Sequence, residues 1–265
     1  MLIKGLNKSK IIIGMVHFPA LPGSPLYDEK KGIEWIASRV REDLLALQDG
    51  GIDAVMFCNE NDRPYTLNAD IASVAVMARI IGELMNEIKV PFGVDVLWDP
   101  KAAIALAKAT GASFIREIIT GTFVSDMGLW NTSVGEVYRY KKLLDATNIK
   151  VFFNICAEFA SSLDKRSIEE IARSVVFSSL ADAVLISGPM TGMPPSRETL
   201  ERVKETVKDV PVLVNTGVNL ENVEELLSIA DGAIVGTSLK KDGVTWNSVD
   251  PKRVRRFMEK VETLR

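Results

Sequence analysis

The chain has 265 residues, 47% hydrophobic and 25% charged, the balance of an ordinary soluble globular protein large enough to fold without disulfides or a structural metal. A net charge of −3 and a pI near 5.5 exclude the basic excess expected of a nucleic-acid binder. Two cysteines without a CxxC pair exclude a disulfide framework or zinc site, and no apolar run suits a signal peptide or membrane span, so a cytoplasmic location is expected.

The first predicted strand, KIIIGMV (10–16), leads into His17, the only histidine, and a loop holding Pro19, Pro22 and Pro25. Proline fixes φ, so that loop can hold its shape at low entropic cost. A helix over 35–48 follows, with Trp35, Val40, Leu44 and Leu47 at spacings near 3.6. Further strands are predicted at 54–58, 92–97, 113–118, 150–156, 182–187, 211–215 and 232–236, each rich in Val, Ile or Phe and bounded by turn residues. Between them, Ser133–Glu136 and Ser167–Glu170 have the spacing of capping boxes. Asp99-Pro100 and Asp250-Pro251 place an N-cap residue before a proline in the first turn. In the last helix Lys252, Arg253, Arg255 and Arg256 read either as a solvated face near a helix C-terminus or as a binding patch.

Eight strand-plus-helix units with no linker or composition shift predict one (β/α)8 barrel domain over 1–265, with an open doubly wound sheet as the alternative. In a barrel the site lies at the C-terminal strand ends. Those windows hold His17, then Cys58, Asn59, Glu60 and Asp62, then Asp95 and Asp99, then Arg116 and Glu117. They continue with Asn154, Cys156 and Glu158, then Ser187-Gly188, then Asn215-Thr216-Gly217 and Gly236-Thr237-Ser238. Strand ends are polar near water in any case, so the set alone does not identify a site.

The last two windows point to phosphate. Glycines let backbone approach a ligand closely, and successive N–H groups cradle an anion; barrels often build that site after strands seven and eight. Ser187-Gly188 could extend it, although glycines also simply turn short loops. Asp95 lies in an apolar strand beside Arg116, a pair that serves catalysis or structure equally well. Asp95, Glu117 and Glu158 are oxygen ligands that could hold Mg²⁺, with no spacing that demands it. The two cysteines read as buried packing. Trp98 and Trp130 read as loop residues on the active face, either ligand walls or covers of the core. Exposed apolar surface on barrel helices often pairs subunits, but no decisive stripe marks a homo-oligomer.

The stretches GMVHFPALPGSP (14–25), GASFIRE (111–117), LADAVLISGPMTGMPPSRETLERVK (180–204), PVLVNTGVNLENVEELL (211–227), ADGAIVGTSLKKDG (230–243) and VDPKRVRRF (249–257) resemble the BtpA/SgcQ family. The resemblance spans nearly the whole chain and implies a barrel of the ribulose-phosphate-binding type. It also implies a link to photosystem I biogenesis through a cyanobacterial, membrane-associated member, and sugar-utilisation settings for others; no family-wide reaction comes with it. The chain departs from the pattern on the acid–base side. The family motif E-N-F-G-D-x-P-F reads CNENDRPY (58–65), so Cys58 replaces glutamate while Asn59, Asp62 and Pro64 remain. A-D-V-H-V-K-H-A reads FNICAEFA (153–160), with Asn154, Cys156, Glu158 and Phe159 in place of aspartate, histidine, lysine and histidine, and Ile118 takes the place of an asparagine.

The expected function is binding of a small phosphorylated metabolite at the top of the barrel. If catalytic, the chemistry is of lyase, aldolase or isomerase type, with His17 passing a proton to Asp95 or Glu117 and Arg116 steadying an anion. The alternatives are an assembly factor that has lost catalysis, favoured by the rewritten fifth strand, and an FMN-binding barrel using the same phosphate cradle.

Overall fold

A computed structural model of the chain describes residues 2, 3, 6 and 8–265. In chain order its strands are β1 (Ile11–His17), β2 (Ala54–Cys58), β3 (Phe92–Asp95), β4 (Phe114–Glu117), β5 (Thr122–Ser125), β6 (Gly128–Asn131), β7 (Lys150–Asn154), β8 (Ala160–Ser162), β9 (Ala183–Ile186), β10 (Val212–Val214) and β11 (Gly232–Val235). The helices are α1 (Gly32–Asp49), α2 (Ile71–Leu84), α3 (Pro100–Thr110), α4 (Val134–Leu143), α5 (Ile168–Phe177), α6 (Arg197–Thr206), α7 (Val223–Ile229) and α8 (Pro251–Glu262). Eight strands close into a parallel barrel in the order β1-β11-β10-β9-β7-β4-β3-β2. Closure joins β1 to both β2 and β11, with Ile13 opposite Ala54 and Ile11 opposite Gly232. The closed sheet is the (β/α)8 barrel read from the sequence, and it rules out the open doubly wound alternative.

Alternation along each strand divides the core in two. Ile12, Val16, Val55 and Phe57 pack outward under the helices. Ile13, Met15, Met56, Phe114, Phe152, Leu185, Leu213 and Ile234 fill the barrel, with Phe114 and Phe152 stacked at 4.8 Å. A strand has a period of two, so the next inward position on each strand falls at the top of the barrel. Those positions are His17, Cys58, Asp95, Arg116, Asn154, Ser187, Asn215 and Gly236.

The helix ends follow the sequence in three cases of four. Asp99 and Asp250 cap α3 and α8 ahead of a proline, and Ser167 with Glu170 forms a complete capping box on α5. Ser133 makes no side-chain cap on α4, and Glu136, which would complete the box from the other side, accepts from Lys101 Nζ at 2.8 Å instead. In α1 the buried stripe is Ile36, Val40, Asp43, Leu44 and Leu47, while Trp35 is half-exposed under Lys31.

The strands β6-β5-β8 form a small antiparallel sheet outside the barrel, which the sequence reading missed. It carries Phe123 and Trp130 onto Trp98, with Trp98 and Trp130 rings 5.1 Å apart. Both tryptophans are buried, Trp130 within a strand rather than in a loop. Among the described residues, no helix is long and apolar enough to cross a membrane.

Candidate functional site

A cavity of about 590 Å³ opens at the C-terminal face of the barrel, within the range usual for small-molecule sites. Of the residues expected there, His17, Glu60, Trp98, Arg116, Glu158, Asn215, Thr216, Gly217, Gly236, Thr237 and Ser238 line it. Thr191, Arg253 and Arg256 line it as well.

The inner end is a hydrogen-bonded set. Arg116 donates to Asp95 and, through Nη1, to Asn215 Oδ1 at 3.0 Å. The Asn215 amide donates to Glu158 Oε1 at 3.2 Å and to Ser187 Oγ at 2.8 Å, and Ser187 donates to Glu158 Oε1 at 3.0 Å. Thr191 Oγ1 lies 3.3 Å from Glu60 Oε1 and 3.3 Å from Glu158 Oε2. Burial pushes the Glu158 carboxyl up to about 7 against the opposing pull of Arg116, and raises Glu60 for the same reason. Glu158 therefore changes protonation near neutral pH, the property a general acid–base group needs.

His17 sits where β1 ends, its ring against Gly236. Burial, reinforced by Lys240 and Arg116, holds it well below the ordinary histidine range, so the imidazole is neutral. Its Nδ1 is shielded and has no partner.

Asp95 and Glu117 do not line the cavity. Asp95 lies beneath Arg116, beside Cys58 Sγ at 3.5 Å. Glu117, the residue after Arg116, is buried beside Asp95 and accepts from Val96 N–H at 3.3 Å. Each carboxyl has one buried oxygen without a donor. Burial and the Asp95 charge drive Glu117 well above the carboxylate range, so its proton serves both groups. Asp95 and Glu117 thus form an internal acid pair beside Arg116, outside the cavity that His17 lines. Among the described residues, no three His, Cys, Asp or Glu side chains gather as a metal site, and Asp95, Glu117 and Glu158 do not form one.

Several expected binding residues hold the frame instead. Asn59 Oδ1 accepts from Leu97 N–H, Asp62 ties the loop after β1 through Leu21 N–H and Ser73 Oγ, and Asn154 Oδ1 accepts from Cys156 N–H. Gly188 N–H donates to Thr216 Oγ1, which donates onward to the Met193 carbonyl. The loop 188–194 passes so close that a Cβ on Gly217 (φ +71°) would lie 2.0 Å from Pro194 N. Only glycine meets both the conformation and the contact.

The outer end is formed by the loops after β10 and β11. Ser238 Oγ donates to the Val218 carbonyl at 2.7 Å, which locks the two loops together. Helix α8 begins beside them, so Arg253 and Arg256 face this end of the cavity, and Arg253 Nη1 lies 3.3 Å from the Ser238 carbonyl. These arginines lie in the first half of α8, not near its C-terminus, and both are exposed at the rim of the cavity. Their spacing of three places both on one side of the helix.

The fold and family can be stated from comparison. Wild-type GGGPS from Thermoplasma volcanium superposes with a TM-score of 0.62 over 99% of this chain and 96% of its own, at 14% identity. Phosphoribosyl anthranilate isomerase from Thermus thermophilus gives 0.59 over 96% and 100%, also at 14%. At that identity the likeness concerns the barrel alone. The sgc region protein SgcQ of Escherichia coli (strain K12) is 51% identical over 260 residues, 98% of this chain and 97% of that protein. The photosystem I biogenesis protein BtpA of Synechocystis is 32% identical over 251 residues, 94% and 86% respectively. The BtpA family model matches residues 8–263, and with these two relatives it establishes that the chain belongs to the BtpA family.

Proposed function

We propose that the cavity binds a small phosphorylated metabolite, with the phosphate against Gly217, Thr237, Ser238, Arg253 and Arg256 and the rest of the molecule toward Arg116, Glu60 and Glu158. The observation that carries this reading is that one cavity joins a two-arginine, glycine-loop end to an acid–base end. Arginine suits phosphate because its fork donates two parallel hydrogen bonds. The reading fits a barrel whose structural neighbours include an enzyme named for a phosphoribosyl compound. If turnover occurs, Glu158 takes and returns the proton, neutral His17 faces the reacting end, and Arg116 offsets negative charge that develops there. Lyase, aldolase and isomerase reactions share that requirement. FMN would present its phosphate to the same loops, but the carboxylates and guanidinium at the inner end suit a small polar molecule better than a flavin ring.

The test is thermal unfolding of the purified protein with inorganic phosphate and glucose 6-phosphate. The expected result is a saturable, concentration-dependent rise in Tm that is lost in an Arg253→Ala/Arg256→Ala variant. Indifference of the wild-type protein to both compounds overturns the phosphate assignment and leaves a non-catalytic assembly role as the better account.

A further inference from the structure

Among the described residues, two carboxylates in the cavity have no cation of their own. Glu60 comes from the loop after β2 and Glu158 from the loop after β7, three strands apart around the barrel mouth, and each is at least nine-tenths buried. Yet both meet at one hydroxyl, Thr191 Oγ1. The nearest cation, Arg116, is already bonded to Asp95 and Asn215. One guanidinium therefore faces three ionisable carboxylates, since Asp95, Glu158 and Glu60 all act on it. Lys240, the other buried cation nearby, is held by Asp43 at 2.5 Å.

A second observation points to a ligand at the same place. Trp98 is 5% exposed and lines the cavity with both glutamates, and its Nε1–H is buried without an acceptor. An unpaired donor beside a polar cavity costs free energy until something accepts from it. The cavity is thus polarised along its length: Arg253 and Arg256 at one end, unbalanced carboxylates and an idle N–H donor at the other.

We propose that the ligand is a phosphorylated amino sugar or amino polyol, with its protonated amine between Glu60 and Glu158 and a neighbouring oxygen accepting from Trp98. The proposal rests on the phosphate reading above and narrows it. An ammonium supplies three donors, and Glu60, Glu158 and the Thr191 hydroxyl offer acceptors for them. Hydrogen bonds between charged partners are roughly twice as strong as neutral ones. The amine also supplies the positive charge that two buried carboxylates otherwise lack. A sugar hydroxyl at that position would donate one hydrogen bond and neutralise nothing.

The experiment measures binding of glucosamine 6-phosphate, glucose 6-phosphate and N-acetylglucosamine 6-phosphate by calorimetry at neutral pH, with MgCl₂ alone as a fourth probe. All three sugars share the phosphate, so they differ only at the inner end. Glucosamine 6-phosphate is expected to bind more tightly than either of the others by on the order of tenfold or more. Glu60→Gln and Glu158→Gln should each erase most of that preference, while inorganic phosphate, which reaches only the Arg253 and Arg256 end, still binds and shows that the variants remain folded. Equal binding of the three sugars overturns the amine assignment and leaves the phosphate site standing. Stabilisation by Mg²⁺ that both glutamine variants abolish also overturns it, in favour of a bound divalent cation. Silence of every phosphate compound, inorganic phosphate included, overturns the phosphate reading and this one with it.

Discussion

At the residue scale, the side chain whose protonation is most open to measurement is Glu158. Burial raises its carboxyl from 4.5 to about 7, so the folded chain keeps a proton that the unfolded chain loses. Its contribution to stability is therefore lost as pH rises from 4.5 to 7, by on the order of 3 kcal/mol. Glu158→Gln cannot titrate, so its stability relative to wild type should grow by about that amount across this window. Parallel urea titrations at pH 4.5 and 8 check this, and a constant difference would count against a raised carboxyl. Gly217 allows a sharper contrast. Gly217→Ala must hold φ near +71° and push Pro194 away, so a loss on the order of 3 kcal/mol is expected. Gly236→Ala meets only side chains, His17 Cε1 at 3.2 Å and Met15 Cγ at 3.4 Å, and no left-handed φ is required, so it should cost less than Gly217→Ala. Neither difference is visible in sequence, where both glycines simply follow a strand.

At the element scale, the two Ser-x-x-Glu motifs look equivalent on paper and are not. Ser167→Ala breaks a formed box and should cost about 1 kcal/mol, whereas Ser133→Ala should fall within about 0.5 kcal/mol of wild type. Chemical denaturation of the two variants resolves the difference. The motif states an opportunity for capping, and Lys101 from the neighbouring helix takes that opportunity away from Glu136. The barrel strands were legible because parallel strands buried on both faces read as short apolar runs. The small sheet was not, because Thr122–Ser125, Gly128–Asn131 and Ala160–Ser162 are short, mixed in polarity and flanked by ordinary loop residues. Helix α8 was legible as a helix, through Asp250-Pro251, but its direction toward the cavity was not. Arg253 and Arg256 look like any charged face until the barrel closes and sets the start of α8 beside Ser238.

At the scale of the whole molecule, one buried ion pair ties the cavity to the outer helices. Lys240, just beyond the loop after β11, reaches Asp43 in the middle of α1, and the same carboxylate accepts from Val249 N–H at 2.7 Å. Lys240→Met leaves Asp43 charged and buried, so a loss of about 3–5 kcal/mol is expected in equilibrium unfolding. Lys240→Met combined with Asp43→Leu should recover part of it, and full additivity of the two losses would refute the pairing. Long-range couplings of this kind explain why only part of the site could be read beforehand. His17, Arg116, Asn215 and Gly236 follow from the two-residue period of strands whose tops face one cavity. Glu60, Glu158, Trp98, Thr191 and the α8 arginines enter through loops and a helix, for which no short period predicts an inward direction. The adjoining, mutually tilted indoles of Trp98 and Trp130 give the molecule an optical reporter of its own. Trp98 forms part of the cavity wall and lies 5.1 Å from its neighbour, while Trp35 and Trp246 lie under Lys31 and Arg63 instead. A ligand that takes up the idle indole N–H will shift emission from that pair and alter its coupled near-ultraviolet dichroism, so occupancy can be followed without a label or a known reaction.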